Sequence, residues 1–155
     1  MNDLFISTQM PGKMKGIPCL STSSLNNTFC QKSSSVPGAI CESCYSRRNL
    51  KMYKSANQHY VKNGEILSRR LLTKVPVINA RYFRFNAHGE LINLTHLKNL
   101  YTIAMNNPKT AFTLWTKRVN FVHRLSKPKN LILIYSEMRI NKIDLTIPKL
   151  FDKVL

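Results

Sequence analysis

The chain has 155 residues, enough for one domain with a real core, and 43% of them are hydrophobic, which excludes wholesale disorder. Lys and Arg total 24 against seven Asp and Glu, a formal net charge of +17. The excess is even, +8 over residues 1–80 and +9 over residues 81–155, so it belongs to the folded body and not to a basic tail; such a surface suits a polyanion, nucleic acid first.

No apolar run approaches the length of a membrane span, and no basic amphipathic helix with an aromatic face stands out, so no membrane partner is expected. The opening MNDLFISTQMPGK has no apolar core and an early Asp3, unlike a signal peptide. A cytoplasmic protein is expected, in which cysteines serve as thiols or metal ligands and not as a disulfide frame.

A single domain, 1–155, is read in three stretches. Residues 1–46 are rich in Ser, Thr, Asn, Gly and Pro without periodicity, and read as a loop-rich cysteine lobe. Its cysteines run C-x10-C-x10-C-x2-C as Cys19, Cys30, Cys41 and Cys44. A CxxC pair can bring two thiolates to one metal, and the upstream cysteines could complete a zinc site; alternatively Cys30, Cys41 and Cys44 could hold three irons of an iron–sulfur cluster, or all four pack as small apolar thiols.

Residues 47–75 read as helical, with Tyr53, Asn57, Tyr60, Gly64, Leu67 and Leu71 near one face, a break at Asn63-Gly64 and an end at Pro76. Arg47, Lys51 and Lys54 fall on one helical face beside Arg48.

Residues 76–155 alternate: strands near 81–86, 111–116 and 130–135, a helix over LTHLKNLYTIAMNN capped by Asn93 or Thr95, a short helix within 118–125, and a last strand beginning in FDKVL. This βαβαβ rhythm predicts an α/β fold with a mostly parallel sheet. FDKVL is expected at a sheet edge, where an open edge allows a homodimer. Functional loops then lie at the strand C-termini, in NAHGE, WTKR and SEMR.

Phosphate contacts are expected from Arg47, Arg48, Lys51 and Lys54 after the cysteine turn, Lys62, Arg69 and Arg70 further on, and Lys117 and Arg118 after Trp115. Tyr45, Tyr53 and Trp115 are candidates for base stacking. A metal nuclease would need clustered carboxylates; the seven acids are scattered, and only Glu90 and Glu137 fall at strand ends.

PGKMKGIPCLSTSSLNNTFC, ICESCYS, NGEILSRRLL, ARYFRFNAHGELINLTHLKNLYTIAMNNPKTAFTLWTKR, PKNLILIYSE and FDKV, in that order, resemble the phage gene-product-88-like family over about Gly12 to Val154. That family occurs in phages and mobile elements and is distantly similar to radical-SAM-type partial barrels. The resemblance implies a small partial-barrel-like βα unit. It also implies a cluster on the cysteines after the first strand and a cosubstrate amine at a Gly-Glu turn after the second, here Gly89-Glu90. The radical-SAM spacing is C-x3-C-x2-C, whereas ten residues separate Cys30 from Cys41, and the tyrosine follows the last cysteine. Longer relatives continue past FDKV into a second cysteine-rich segment, so a shortened member is expected. The leading expectation is an accessory protein binding nucleic acid or a host protein–nucleic acid complex, of which an anti-CRISPR-type inhibitor is one form. The alternative is an iron–sulfur enzyme using Cys30, Cys41 and Cys44.

Overall fold

The computed structural model describes residues 3–142 and 146–155. Five strands form one sheet: β1 (Cys19–Leu20), β2 (Tyr82–Phe85), β3 (Ala111–Thr116), β4 (Leu131–Tyr135) and β5 (Lys153–Val154). They stand in sequence order and every neighbouring pair is parallel. Five α-helices connect them, α1 (Thr28–Ser34), α2 (Tyr45–Met52), α3 (Lys54–Arg69), α4 (Leu94–Asn106) and α5 (Val119–Val122), with 3-10 turns at Gly12–Met14 and Ile40–Ser43. The fold is therefore α/β, and the expected mostly parallel sheet is wholly parallel.

Sequence order has a steric consequence. Parallel crossovers are right-handed, so strands added always on the same side put their connecting helices on one face of the sheet. Leu20, Phe83, Phe85, Phe112, Leu114, Leu131 and Leu133 point to that face and are at most 1% exposed. Leu67 of α3, Leu97, Leu100 and Ile103 of α4, and Val122 of α5 close over them as one cluster. Phe83, Phe85 and Phe112 lie with ring centroids 5.0–5.5 Å apart at its centre. The alternate residues, Tyr82, Arg84, Thr113, Trp115 and Ile132, point the other way.

The predicted strands fall within one residue of those observed, and α4 buries its expected face of Leu97, Leu100, Tyr101 and Ala104. Asn93 caps α4, its side chain accepting from the His96 amide at 2.9 Å. FDKVL forms β5 at the sheet edge.

Three local expectations are corrected. The loop-rich lobe contains the first strand, a two-residue segment too short to leave any period. The helical break lies at Tyr53, whose φ of −101° and ψ of 74° separate α2 from α3. Asn63 and Gly64 sit inside α3, because both serve packing: Gly64 lets Ile92 and Thr22 approach, and Asn63 binds main chain from two other segments. The helix ends at Arg69, seven residues before Pro76, and leaves Tyr53 and Leu71 exposed.

Asparagine amides do much of the tying. Asn63 accepts from the Phe5 amide and donates to the Phe5 and Ser21 carbonyls at 2.8–2.9 Å. Asn99 holds Leu67, Arg70 and Leu72, and Asn107 holds Pro76, Ile78 and Ile103. Each supplies two donors and an acceptor to main chain that no strand or helix pairs.

Candidate functional site

The C-terminal ends of the strands carry the polar loops, as parallel topology requires. After β2 the chain turns at Asn86, which adopts φ 51°, and again at Gly89, φ 84°. Gly89 is pressed against the end of β1, where a Cβ would meet the Thr22 side chain and stand 2.5 Å from the Thr22 carbonyl oxygen. Only glycine combines that backbone angle with that approach.

The turn delivers Glu90 into the protein. Its carboxylate accepts from the Leu91 amide at 2.7 Å, the Thr116 hydroxyl at 2.5 Å and the Lys117 amide at 2.9 Å. Burial pushes its carboxyl above the ordinary range, and these three donors act in the opposite sense. Its carbonyl accepts from Asn27 Nδ2 at 2.9 Å, while Asn27 Oδ1 caps α1 by accepting from the Cys30 amide at 3.1 Å. One asparagine thus couples the Gly-Glu turn to the helix that carries the first cleft cysteine.

Around Glu90 lies a cleft of about 170 Å³. Cys30 from α1, Cys41 from the 3-10 turn and Cys44 at the start of α2 line it, with Tyr45, Arg84, Asn86, Trp115 and Lys117. Burial, reinforced by Glu90 and the other two thiols, pushes the Cys30 thiol up to about 12; burial also raises Cys41, against the pull of Lys117. Cys19 stands apart, wholly buried in β1 with the Ser21 hydroxyl 4.0 Å from its sulfur. Ser24, Ser46 and His88 form a chain, Ser24 Oγ to Ser46 Oγ at 2.8 Å and Ser46 Oγ to His88 Nδ1 at 2.9 Å. Burial, and after it the nearby Arg84, push the pKa of His88 below the ordinary histidine value.

The convergence of three cysteines on one cleft is the arrangement that the radical-SAM likeness implies, but the fit is incomplete. Among the described residues no group of three His, Cys, Asp or Glu stands close enough to hold a metal ion. Glu90, the carboxylate that lines the cleft with the cysteines, has its oxygens engaged by protein donors.

The nine nominated cations divide. Arg48 and Lys51 are exposed, and with Arg47, Glu42, Ser43 and Cys44 they line a groove that shares Cys44 with the cleft. Arg47 also donates to the Ser24 carbonyl at 3.0 Å. Lys54 opens α3, so the break at Tyr53 takes it off the helix of Arg47 and Lys51. Lys117 Nζ binds Ser136 Oγ at 2.5 Å inside the cleft. Arg118 lies 4.8 Å over the Phe29 ring and 4.2 Å over Phe121, and donates to the Leu91 carbonyl, so it clamps α1 and α5 to the turn. Lys62 is exposed on α3, and Arg69 and Arg70 are exposed where that helix ends, beside Ser68, whose carbonyl accepts from the Asn93 cap of α4.

Asn86 and Arg84 had no place among the expected site residues. The signal for Asn86 was its position, the first polar residue after RYFRF and the start of NAHGE; nothing local marked it further.

A family model described as gene product 88 matches residues 6–152. The chain belongs to the phage gene product 88 family. The match runs from the segment that pairs with β1 to the residue before β5, so it takes in the cleft and every strand but the last. No curated protein and no solved structure matches. Among the described residues of this gene product 88 chain, no helix is long and apolar enough to cross a membrane.

Proposed function

We propose that this phage gene product binds nucleic acid, free or within a host nucleoprotein complex, through the basic groove and cleft at the strand C-termini. The observation that carries the reading is charge without internal neutralisation. The chain has a net charge of +17, yet among the described residues only two ion pairs form, Lys127–Asp152 at 3.0 Å and Arg139–Glu137 at 3.6 Å. Glu90, which could have served as a third anion, is buried against amides and a hydroxyl. The folded state therefore carries a positive field that an external polyanion relieves. An inhibitor that occupies the nucleic-acid groove of a host nuclease is one form of the same chemistry.

Affinity for a duplex and a single strand, measured over a salt series, tests this. Each phosphate neutralised contributes about 0.9 to the slope of log K against log salt. Arg48→Ala/Lys51→Ala/Lys54→Ala changes three exposed cations and is expected to flatten the slope by about two to three units. Equal slopes for variant and wild type would place the contact elsewhere; no binding to either polyanion would reject the reading.

A second reading is favoured by Cys30, Cys41 and Cys44 lining one cleft: a zinc ion or iron–sulfur cluster drawn in by thiol deprotonation and a closing of the cysteine loops. Gly89 and Glu90 would then form the wall facing a cofactor. Metal analysis of anaerobically purified wild type and Cys41→Ser decides it. Stoichiometric zinc or iron lost in the variant supports the site, and metal-free wild type removes it.

A further inference from the structure

Wholly parallel sheets are ordinarily covered on both faces. Here the helix face is sealed, its strand residues at most 1% exposed, whereas the opposite face is open toward the strand N-termini, where Tyr82 is 51% and Ile132 40% exposed, and covered at the cleft end, where Ile134 is 8% and Asn86 5% exposed. Register places Tyr82, Arg84 and Asn86 on this face in β2 and its extension, with Thr113 and Trp115 beside them on β3.

These residues form a recognisable chemical set. The Arg84 guanidinium lies 4.6 Å over the Trp115 ring, and that of Arg81 5.3 Å over the Tyr82 ring. Each ring thus has a cation on one side. At the cleft end of the same row, Asn86 is 95% buried, and both its amide nitrogen and its amide oxygen lack a partner, as does Arg84 Nε. A buried amide with neither donor nor acceptor used is costly and persists where something else satisfies it. Its left-handed backbone, φ 51°, is a second cost at the same residue.

We infer that the open face of the sheet is a platform for single-stranded nucleic acid: bases stack on Tyr82 and Trp115, and Asn86 turns into the cleft to pair with the edge of a base. The inference rests on the nucleic-acid reading above and names the form of the polyanion. From the register, Trp115 stands four residues along and one strand across from Tyr82, about 14 Å at ~3.3 Å per residue and ~4.8 Å per strand. Splayed bases of an extended strand reach both rings, while bases inside a duplex have no free face to offer. A second copy of the chain is the other occupant to consider, and two surfaces each carrying two stacked arginines on a +17 body repel one another.

Trp115 is the chain's single tryptophan, so its emission reads the platform directly. The probes are oligodeoxythymidylate, oligouridylate and a DNA duplex of equal length, titrated at fixed salt into wild type and Tyr82→Ala. Tyr82 is exposed, so the substitution spares the core. Single strands are expected to quench Trp115, and Tyr82→Ala to weaken their binding about tenfold while leaving duplex affinity unchanged. Salt-dependent binding with no quenching and no effect of Tyr82→Ala overturns the platform and leaves the basic-groove reading standing. Failure to bind any of the three overturns both. A concentration-dependent dimer in sedimentation that Tyr82→Ala or Ile132→Lys dissociates assigns the face to a second copy and refutes the inference.

Discussion

Replacing Gly89 by alanine tests how the Gly-Glu turn is built. A Cβ at this position would stand 2.5 Å from the Thr22 carbonyl oxygen and 2.8 Å from its carbon, both main-chain atoms that no rotamer change can move. The φ of 84° adds about 1–2 kcal/mol for an L-residue. Relieving the overlap requires the end of β1 to retreat, which breaks the 3.2 Å bond from the Thr22 amide to the His88 carbonyl, about 1 kcal/mol more. The expected loss is about 3 kcal/mol in urea unfolding. Gly64→Ala is the internal comparison. Its Cβ meets first the flexible Ile92 Cδ1 at 3.1 Å, and helix propensity returns up to ~1 kcal/mol, so it should unfold within about 1 kcal/mol of wild type. Gly89→Ala unfolding at the wild-type midpoint would refute the argument that contact with Thr22 positions Glu90.

Three further outcomes are expected. His96 is wholly buried, its Nδ1 accepting from the Ile92 amide at 3.2 Å and its Nε2 unpartnered, and burial lowers its pKa to about 3. The folded state holds it neutral while the unfolded chain protonates near 6.5, so its contribution is complete above that value and falls by about 1.4 kcal/mol per unit as pH drops toward 3. His88 acts with the same sign and Glu90, raised by burial, with the opposite one; urea midpoints from pH 7 to pH 4 should fall less steeply for His96→Gln than for wild type. Asn63→Leu removes three hydrogen bonds to Phe5 and Ser21 and should cost about 3 kcal/mol, with faster protease cleavage near Phe5. Asn93→Ala removes the α4 cap and should cost about 1 kcal/mol in the same unfolding assay.

Much of the architecture was legible because its signals are local. AFTLWT and LILIY are apolar enough to be strands, α4 shows its buried stripe at helical spacing, and their alternation implies parallel pairing by the handedness of crossovers. The strand-end position of NAHGE followed from the same topology. Local signals were silent about β1: Cys19 and Leu20 form a strand only because Arg84 and Phe85 stand beside them. They were silent also about Asn63 and Gly64, which read as a turn in isolation and are helical because Phe5, Ser21, Thr22 and Ile92 surround them. Charge was visible as a sum, but which arginines face solvent and which clamp the fold, as Arg118 does between Phe29 and Phe121, depends on segments that meet only after folding. The open face and the unpartnered amide of Asn86 are likewise tertiary facts. Composition and periodicity specify which residues seek burial, whereas only the packed chain decides which polar groups are left with nothing to bind.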